Sequence, residues 1–339
     1  MSSDNGHSHH PLTHQAVRVA IVGSGPFAEL HAQAFTENPD CELIAVVGRS
    51  IERAEALATR FSVQETYRTT EELFEARAVD AVAVVTAGTF HLQPTLAALE
   101  GGASVLLEKP VVMNSTEGRT LREAVERAPG FVMPAHILRF ATPYQELRSR
   151  LEAGVVGTPR ALSFRRHRTT DHDELFHDVH PVLMTMIHDI DLAMWLTGAT
   201  PLHITARQIE AHSRSQPLAV WAEVETTDGT AISFQVSWSL AAGSLSDSFE
   251  VIGDNGALSL SLAPRVRDFG PGASLVDDCL TPDGGHGALR EEIRQFVDAV
   301  RFENPPTVVT LDEALAGIDL AEQIIAVART HRIEAGECL

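Results

Sequence analysis

Lysine is almost absent from this chain of 339 residues: all 26 basic residues are arginine except Lys109. A position that keeps the single ammonium group, in a protein that otherwise uses guanidinium, makes a chemical demand that arginine does not meet. Positive charge is scarce as well. The 26 Lys and Arg face 46 Asp and Glu, for a formal net charge of -20. Most of the surface therefore repels a phosphate backbone, and nucleic acid is not an expected partner. Cysteine is sparse: Cys41, Cys279 and Cys338 lie far apart with no CxxC pair. That excludes a zinc knuckle or redox dithiol and predicts no disulfides, as suits a reducing compartment. No apolar run reaches the roughly 18 residues of a membrane helix, and no basic segment followed by a hydrophobic stretch opens the chain. The expectation is a cytoplasmic protein with no membrane partner.

What is present reads as an ordinary globular protein, 44% hydrophobic and 21% charged. Its length exceeds what one core usually supports, so two domains with a cleft between them are expected. The first 15 residues carry His7, His9, His10 and His14. Their polar composition predicts a disordered tail rather than a metal site. From Ala16 the apolar run AVRVAIVG ends in glycine, and Pro26 opens a helical pattern. Leu43 to Val47, Ala81 to Thr86 and Ser104 to Leu107 repeat the buried-strand signal with amphipathic segments between them, which predicts a doubly wound parallel sheet. Beyond about Phe131 the pattern alternates instead: Arg160 to Arg168, Ala219 to Thr226, Thr230 to Ser239 and Phe249 to Ile252 read as strands, with Asp228-Gly229 as a hairpin turn. One helix from about Pro181 to Leu196 lies among them, and Gly287 to Phe302 and Leu311 to Thr330 close the chain as helices.

Gly23-Ser24-Gly25-Pro26-Phe27-Ala28 follows a predicted strand and opens a predicted helix, the context in which G-x-G-x-x-G/A binds a dinucleotide diphosphate. This is the signature of a Rossmann domain. An NAD-selective version ends its second strand on an acid for the ribose 2'-hydroxyl, but here the segment reads Gly48-Arg49-Ser50. Arg49 can pair with a 2'-phosphate and Ser50 can add a hydroxyl, so NADP is expected in preference to NAD, with NAD still usable.

Glu108-Lys109-Pro110 follows the strand SVLL, which places Lys109 at the carboxyl edge of the sheet, where open α/β folds bind ligands. An ammonium there can polarise a hydroxyl or carbonyl and lower its own pKa when desolvated. With these motifs, the chain resembles the Gfo/Idh/MocA oxidoreductase family over nearly all its length beyond the tail. The resemblance also rests on Thr86-Ala87-Gly88-Thr89-Phe90-His91, Arg139-Phe140 with Pro143-Tyr144, and Gly154-Val155-Val156-Gly157. It continues through His188-Asp189-Ile190-Asp191, Glu250-Val251-Ile252-Gly253 with Gly256, and the last helix from Leu311.

The resemblance implies an α/β plus α+β architecture. A Rossmann domain over 16–138 precedes a domain over 139–309 built on a mostly antiparallel open β-sheet, and a helix over 310–332 packs back on the first domain. It implies cofactor contacts at Gly23, Gly25, Pro26, Phe27, Ala28, Arg49, Ser50, Thr86, Ala87, His91, Glu108, Lys109 and Pro110. It makes Lys109 and His188 the catalytic pair for hydride and proton transfer with a polyhydroxylated sugar or cyclitol. A homodimer or homotetramer that covers one sheet face is the expected assembly.

One departure stands out. Many dehydrogenases of the family it resembles carry an aspartate four residues before the histidine; here that position is Met184. The i, i+4 spacing would have placed the carboxylate on the face of His188. Asp178, His180 or Asp189 compensates, or the reaction differs, or the chain senses a ligand without turning it over. His167, His172, His177, His180 and His188 crowd this region, but His177-x-x-His180 before Pro181 is not helical metal-ligand spacing, so no metal is expected. Neutral imidazoles on a loop over the cleft instead suit sugar hydroxyls. His180 is the preferred compensating group, and His136, Asp178 and His188 join it as substrate contacts, with Arg139 at the border.

Overall fold

The computed structural model describes residues 16–211, 214–241, 246–261 and 287–334. The amino-terminal tail, Cys279 and Cys338 lie outside them. Six short strands form the first sheet: β1 (Val17–Val22), β2 (Cys41–Val47), β3 (Glu65–Tyr67), β4 (Ala81–Val84), β5 (Ser104–Glu108) and β6 (Val132–Ala135). All pair in parallel in the order β3-β2-β1-β4-β5-β6. Every residue of β4 and β5 is buried, as strands covered by helices on both faces require. Those helices are α1 (Pro26–Glu37), α2 (Ile51–Arg60), α3 (Thr70–Ala76), α4 (Leu92–Glu100) and α5 (Ser115–Arg127). Strand order reverses between β1 and β4, which opens a crevice at their carboxyl ends.

After α6 (Thr142–Glu152) the chain builds a second sheet. Its strands begin with β7 (Pro159–Thr169); α7 (His172–Leu175) and α8 (Ile187–Thr197) intervene, and β8 (Pro201–Glu210), β9 (Ala219–Thr226), β10 (Ala231–Leu240), β11 (Ser246–Gly253) and β12 (Gly256–Ser261) follow. Two long helices, α9 (Gly287–Arg301) and α10 (Leu311–Thr330), precede β13 (Arg332–Glu334), which completes the order β12-β11-β7-β10-β9-β8-β13. Along β9, Val220, Ala222, Val224 and Thr226 point into the core while the residues between them are more exposed. This period of two puts one face on α8 and α10 and leaves the other open. The expected turn is present, with Gly229 at φ +82° and the Thr226 amide 3.0 Å from the Thr230 carbonyl. The sheet is mostly antiparallel, as read from the alternation, but β7 pairs with β10 in parallel and β13 with β8 in parallel. A parallel neighbour needs a long crossover, and the excursion through α8 supplies one for β7 and β10.

The predicted helix from Pro181 starts as a π-helical turn, Val182–Met186, before α8 begins. The last helix opens on a capping box between Thr310 and Glu313. It joins the two layers: the Ser115 amide at the start of α5 donates to Glu322 at 2.8 Å, while the other side of α10 rests on β8 and α8.

Although it follows the second sheet in the chain, α9 packs on α1, β1 and the short 3-10 helix Ile137–Phe140. It carries Glu292 into the interior, fully buried, with neither carboxylate oxygen hydrogen-bonded among the described residues. Burial, and secondarily the carboxylate of Glu108, push its pKa well above the carboxylate range. The folded state thus holds a proton that the unfolded chain releases above pH ~4.5, and stability falls as pH rises past that value. Glu292→Gln keeps the shape without the charge, so it is expected to gain about 1–3 kcal/mol at pH 8 and little near pH 5. Urea unfolding at the two pH values checks this; an equal or lower stability of the variant at pH 8 contradicts it.

Candidate functional site

At the end of β1, Gly23 turns with φ +136°, and a Cβ there would sit 2.3 Å from the Val85 carbonyl oxygen at the end of β4. Only glycine fits so close an approach. Gly25 has a different reason. Its backbone is extended, at φ -88° and ψ 177°, and an added Cβ would meet nothing within 4 Å. The protein's own packing does not ask for glycine here; what a side chain would fill is the space before the first turn of α1. Pro26 starts that helix, no side chain among the described residues caps it, and Ala28 is buried while Phe27 is 40% exposed. An uncapped helix start leaves its amide N–H groups and the positive end of the helix dipole facing the crevice, which fits a diphosphate. Gly25→Val is expected to weaken dinucleotide affinity by at least about 20-fold with the melting temperature unchanged, whereas Gly23→Val destabilises the fold. Titration by intrinsic fluorescence beside a thermal melt separates the two; a Gly25→Val protein that binds as tightly as wild type refutes the assignment.

Beyond β2, the exposed Arg49 guanidinium lies 3.8 Å from the centroid of the Phe90 ring, which projects from the loop after β4. Ser50 caps α2 by accepting from the Arg53 amide at 3.4 Å and donates to Glu52 at 2.9 Å. Glu52 was not singled out by the sequence pattern. Its carboxylate is held below the usual range by its own backbone amide and by Ser50, so a negative charge stands beside the Ser50 hydroxyl. An acid in the first turn of α2 was the only signal that could have marked it.

β5 delivers Glu108 and Lys109 to the crevice. Glu108 is buried; one carboxylate oxygen accepts from the Lys109 amide at 3.1 Å and the other lies 3.1 Å from His31 Nε2. The Lys109 ammonium donates to the Met184 carbonyl at 3.1 Å, on the π-helical turn, and lies 3.9 Å from the Met184 sulfur. Single π turns are frequent at functional sites. Burial pulls the pKa of Lys109 down to about 8; Glu108 opposes this, and Arg168 and Arg166 add to it. His188 makes no hydrogen bond to a described residue. Its pKa is driven well below the usual value by burial, then by Lys109, Arg166, His136 and Arg168, so the ring is neutral. Two buried ion networks hold α8 in place. Asp191 takes three contacts from Arg139, at 2.6, 3.0 and 3.2 Å, and Asp189 accepts from Arg166 at 2.7 Å, while Arg166 also reaches Asp247 at 2.6 Å.

The structure separates the other expected residues. Exposed Asp178 accepts from Thr89 at 3.3 Å, a link across the cleft to the loop after β4. Thr86 donates within the same loop to the Phe90 carbonyl at 3.1 Å, and Ala87 is exposed beside it. His91 is fully buried with Nδ1 2.7 Å from the Pro110 carbonyl and Nε2 3.0 Å from the Thr86 carbonyl, so its ring bridges the segments that follow β5 and β4. His180, the preferred compensating group, turns away. Its Nδ1 accepts from the Val182 amide at 3.3 Å and its Nε2 lies 3.4 Å from Gln208 on β8, because the ring packs at the start of the helix beneath the sheet. Asp189 is occupied by Arg166. His136 is 3% exposed beside the Lys109 segment. His172 had been noted only as one of a cluster; it packs on Trp238 and Phe176 within electrostatic reach of Lys109, and burial lowers its pKa to about 4. Among the described residues no group of three His, Cys, Asp or Glu side chains is arranged for a metal ion, and no helix is long and apolar enough to cross a membrane.

A glycine turn at the switch point of a parallel sheet, with a half-buried lysine of lowered pKa at its rim, defines a dinucleotide-dependent oxidoreductase. The chain belongs to the Gfo/Idh/MocA family: the profile described as "Oxidoreductase family, NAD-binding Rossmann fold" matches residues 17–136, and the "GFO/IDH/MocA C-terminal domain" matches residues 144–259. A curated relative, the inositol 2-dehydrogenase/D-chiro-inositol 3-dehydrogenase of Shouchella clausii, is 29% identical over 265 residues, 74% of each chain. Among solved structures, myo-inositol 2-dehydrogenase of Lactobacillus plantarum aligns with a TM-score of 0.83 at 22% identity, covering 93% of this chain and 98% of that one. Scyllo-inositol dehydrogenase of Lactobacillus casei, solved with NAD(H) and scyllo-inositol, aligns at 0.80 with 19% identity, covering 93% and 98%. These structural likenesses establish the shared fold.

Proposed function

We propose that this oxidoreductase interconverts a secondary alcohol and a ketone on a cyclitol, a sugar or a sugar derivative. The observation that carries the reading is Lys109: the only ammonium side chain of the protein, at the rim of the dinucleotide crevice, with its pKa lowered to about 8 and a neutral His188 within electrostatic reach. When bound, the nicotinamide supplies the hydride acceptor or donor. Lys109 as the free amine accepts the alcohol proton in oxidation, and as ammonium it polarises the carbonyl in reduction. His188, kept neutral, relays that proton and holds the hydroxyl. Asp178 at the rim and the half-buried His172 offer an acceptor and a neutral imidazole to neighbouring hydroxyls, a mixture that polyols suit. Enolisable acids or aldehydes without flanking hydroxyls leave these groups unpaired. The test is absorbance at 340 nm with inositols, sugars and glucosides and either dinucleotide. Turnover on a polyol supports the reading, and none on any of them counts against it.

For the cofactor, the proposal is NADP in preference to NAD. Arg49 supports it, since no carboxylate ends β2 and a guanidinium pairs well with a 2'-phosphate. Glu52 opposes it, since its carboxylate already takes the Ser50 hydroxyl. If the guanidinium prevails, Arg49→Ala lowers NADP affinity about 10-fold and leaves NAD within twofold. Glu52→Gln then tightens NADP further. Equal affinities of wild type for the two cofactors overturn the preference. A homodimer or homotetramer covering the open face of the second sheet, where Ile252 is 49% exposed, completes the proposal, and light scattering tests it.

A further inference from the structure

His136 follows β6 directly and is 3% exposed, yet neither of its ring nitrogens has a hydrogen-bond partner among the described residues. Buried polar groups are seldom left so, and an exception beside a reactive lysine calls for a role. Its surroundings are specific. Nδ1 lies 3.6 Å from Asp191 Oδ1, the same oxygen that Arg139 holds at 2.6 Å. His188 and Asp191 are three residues apart on α8, so they share a face of the helix, and His136 interacts electrostatically with both. Glu108, Lys109 and Arg139 are the other charged groups around it. Met184 leaves the helix with no carboxylate one turn before His188. The alternatives are engaged elsewhere: Asp189 by Arg166, His180 by Gln208 and the Val182 amide, and Asp178 by Thr89 at the rim.

We propose that His136 is the positioning residue of the proton path: a small turn of its ring brings Nδ1–H onto Asp191 from the present 3.6 Å and lets Nε2, unpartnered among the described residues, accept the N–H of His188. His188 then presents its other, unprotonated nitrogen to Lys109 and the substrate. His136 takes no proton itself; it fixes which nitrogen of His188 is free, the task a carboxylate at 184 would otherwise perform. The inference rests on the oxidoreductase reading only for its kinetic consequence.

The test uses the full chain labelled with 15N-histidine, at neutral pH and without substrate, with His136→Phe and His136→Asn for assignment. His136 is expected as a single Nδ1–H tautomer, and His188 as a single tautomer that becomes a mixture in His136→Phe. With an active polyol, His136→Phe is expected to lose about 100-fold in kcat with KM for polyol and dinucleotide within twofold, and His136→Asn, which keeps a donor and an acceptor, to recover to within about tenfold. A wild-type His136 observed as the Nε2–H tautomer or as a mixture overturns the proposal without any variant. So does a His188 signal that His136→Phe leaves unchanged, or a loss carried by KM alone. If wild type turns over no polyol, the oxidoreductase reading fails while the tautomer measurement still decides on His136.

Discussion

Lys109→Met is expected to leave a well-folded protein whose turnover is slower by at least about a thousandfold. Methionine follows the lysine stem through the half-buried part of its path but ends without an ammonium, so the alcohol oxygen loses both its proton acceptor and its positive partner. Dinucleotide affinity should stay within a fewfold, because the Gly23 turn and the start of α1 are untouched. The same substitution should not lower the melting temperature at pH 7. Burial depresses the pKa of this lysine from 10.5 to about 8, so below pH 8 the folded state holds an ammonium that the unfolded chain solvates better. Between about 8 and 10.5 the unfolded chain binds more protons than the folded one, and stability rises with pH across that window. Removing the group removes a cost. A variant that is inactive because it melts early contradicts this account; one that is inactive and as stable as wild type supports it. The wild-type rate carries the same signature in two directions. Oxidation rises through about pH 8 as the free amine appears, and reduction falls over the same interval as the ammonium is lost. A pH profile flat from 6.5 to 9.5 in both directions speaks against Lys109 as the proton-transferring group.

Lysine 109 could be singled out before any coordinate was known because its peculiarity is compositional and its place follows from a strand that precedes it. The parallel sheet was legible for a similar reason: continuous apolar runs such as those of β4 and β5 are local, and glycine turns follow them. The two glycines of the loop could be named by role, Gly23 for the tight turn and Gly25 for the approach of the diphosphate, but not by what surrounds them. Gly23 answers to the Val85 carbonyl, just past β4 and some 60 residues further along, and Gly25 to empty space; no pattern of letters carries those surroundings. The parallel pairing of β7 with β10 was hidden because it joins strands separated by α7, α8, β8 and β9, while alternation reports only which face is buried. His180 shows the limit at the scale of a side chain. It stands beside Asp178 in the chain, yet Pro181 starts the helix and the ring folds back to accept from the Val182 amide, so its neighbour reaches the cleft and it does not. Glu52 was obscured in the same way, by a contact through the Ser50 hydroxyl rather than by spacing.

The departure at 184 can be turned into a measurement. In the wild type the Lys109 ammonium is met by neutral groups on the π-helical turn, the Met184 carbonyl at 3.1 Å and the Met184 sulfur at 3.9 Å. Met184→Asp exchanges the sulfur for a carboxylate at about the same place. An opposite charge within that range favours the protonated form, so the lysine midpoint is expected to move alkaline from about 8 by roughly 1 to 3 pH units. Because the chain has a single lysine, the 15N or 13Cε resonance of labelled lysine reports this group alone, and a pH titration reads the midpoint directly. The kinetic consequence follows in sign. At pH 7 the fraction of free amine drops by about 10- to 1000-fold, and oxidation falls with it, whereas reduction keeps its ammonium to higher pH and its falling limb moves alkaline. Above the new midpoint the variant should regain, or exceed, the wild-type rate of oxidation, since a carboxylate one turn before His188 can also orient that ring. Two other results are informative in opposite ways. A midpoint that stays at about 8 shows that the new carboxylate does not face the ammonium. A variant that oxidises faster than wild type at pH 7, with its midpoint raised, shows that orientation of His188 and not the supply of free amine limits the reaction in this chain.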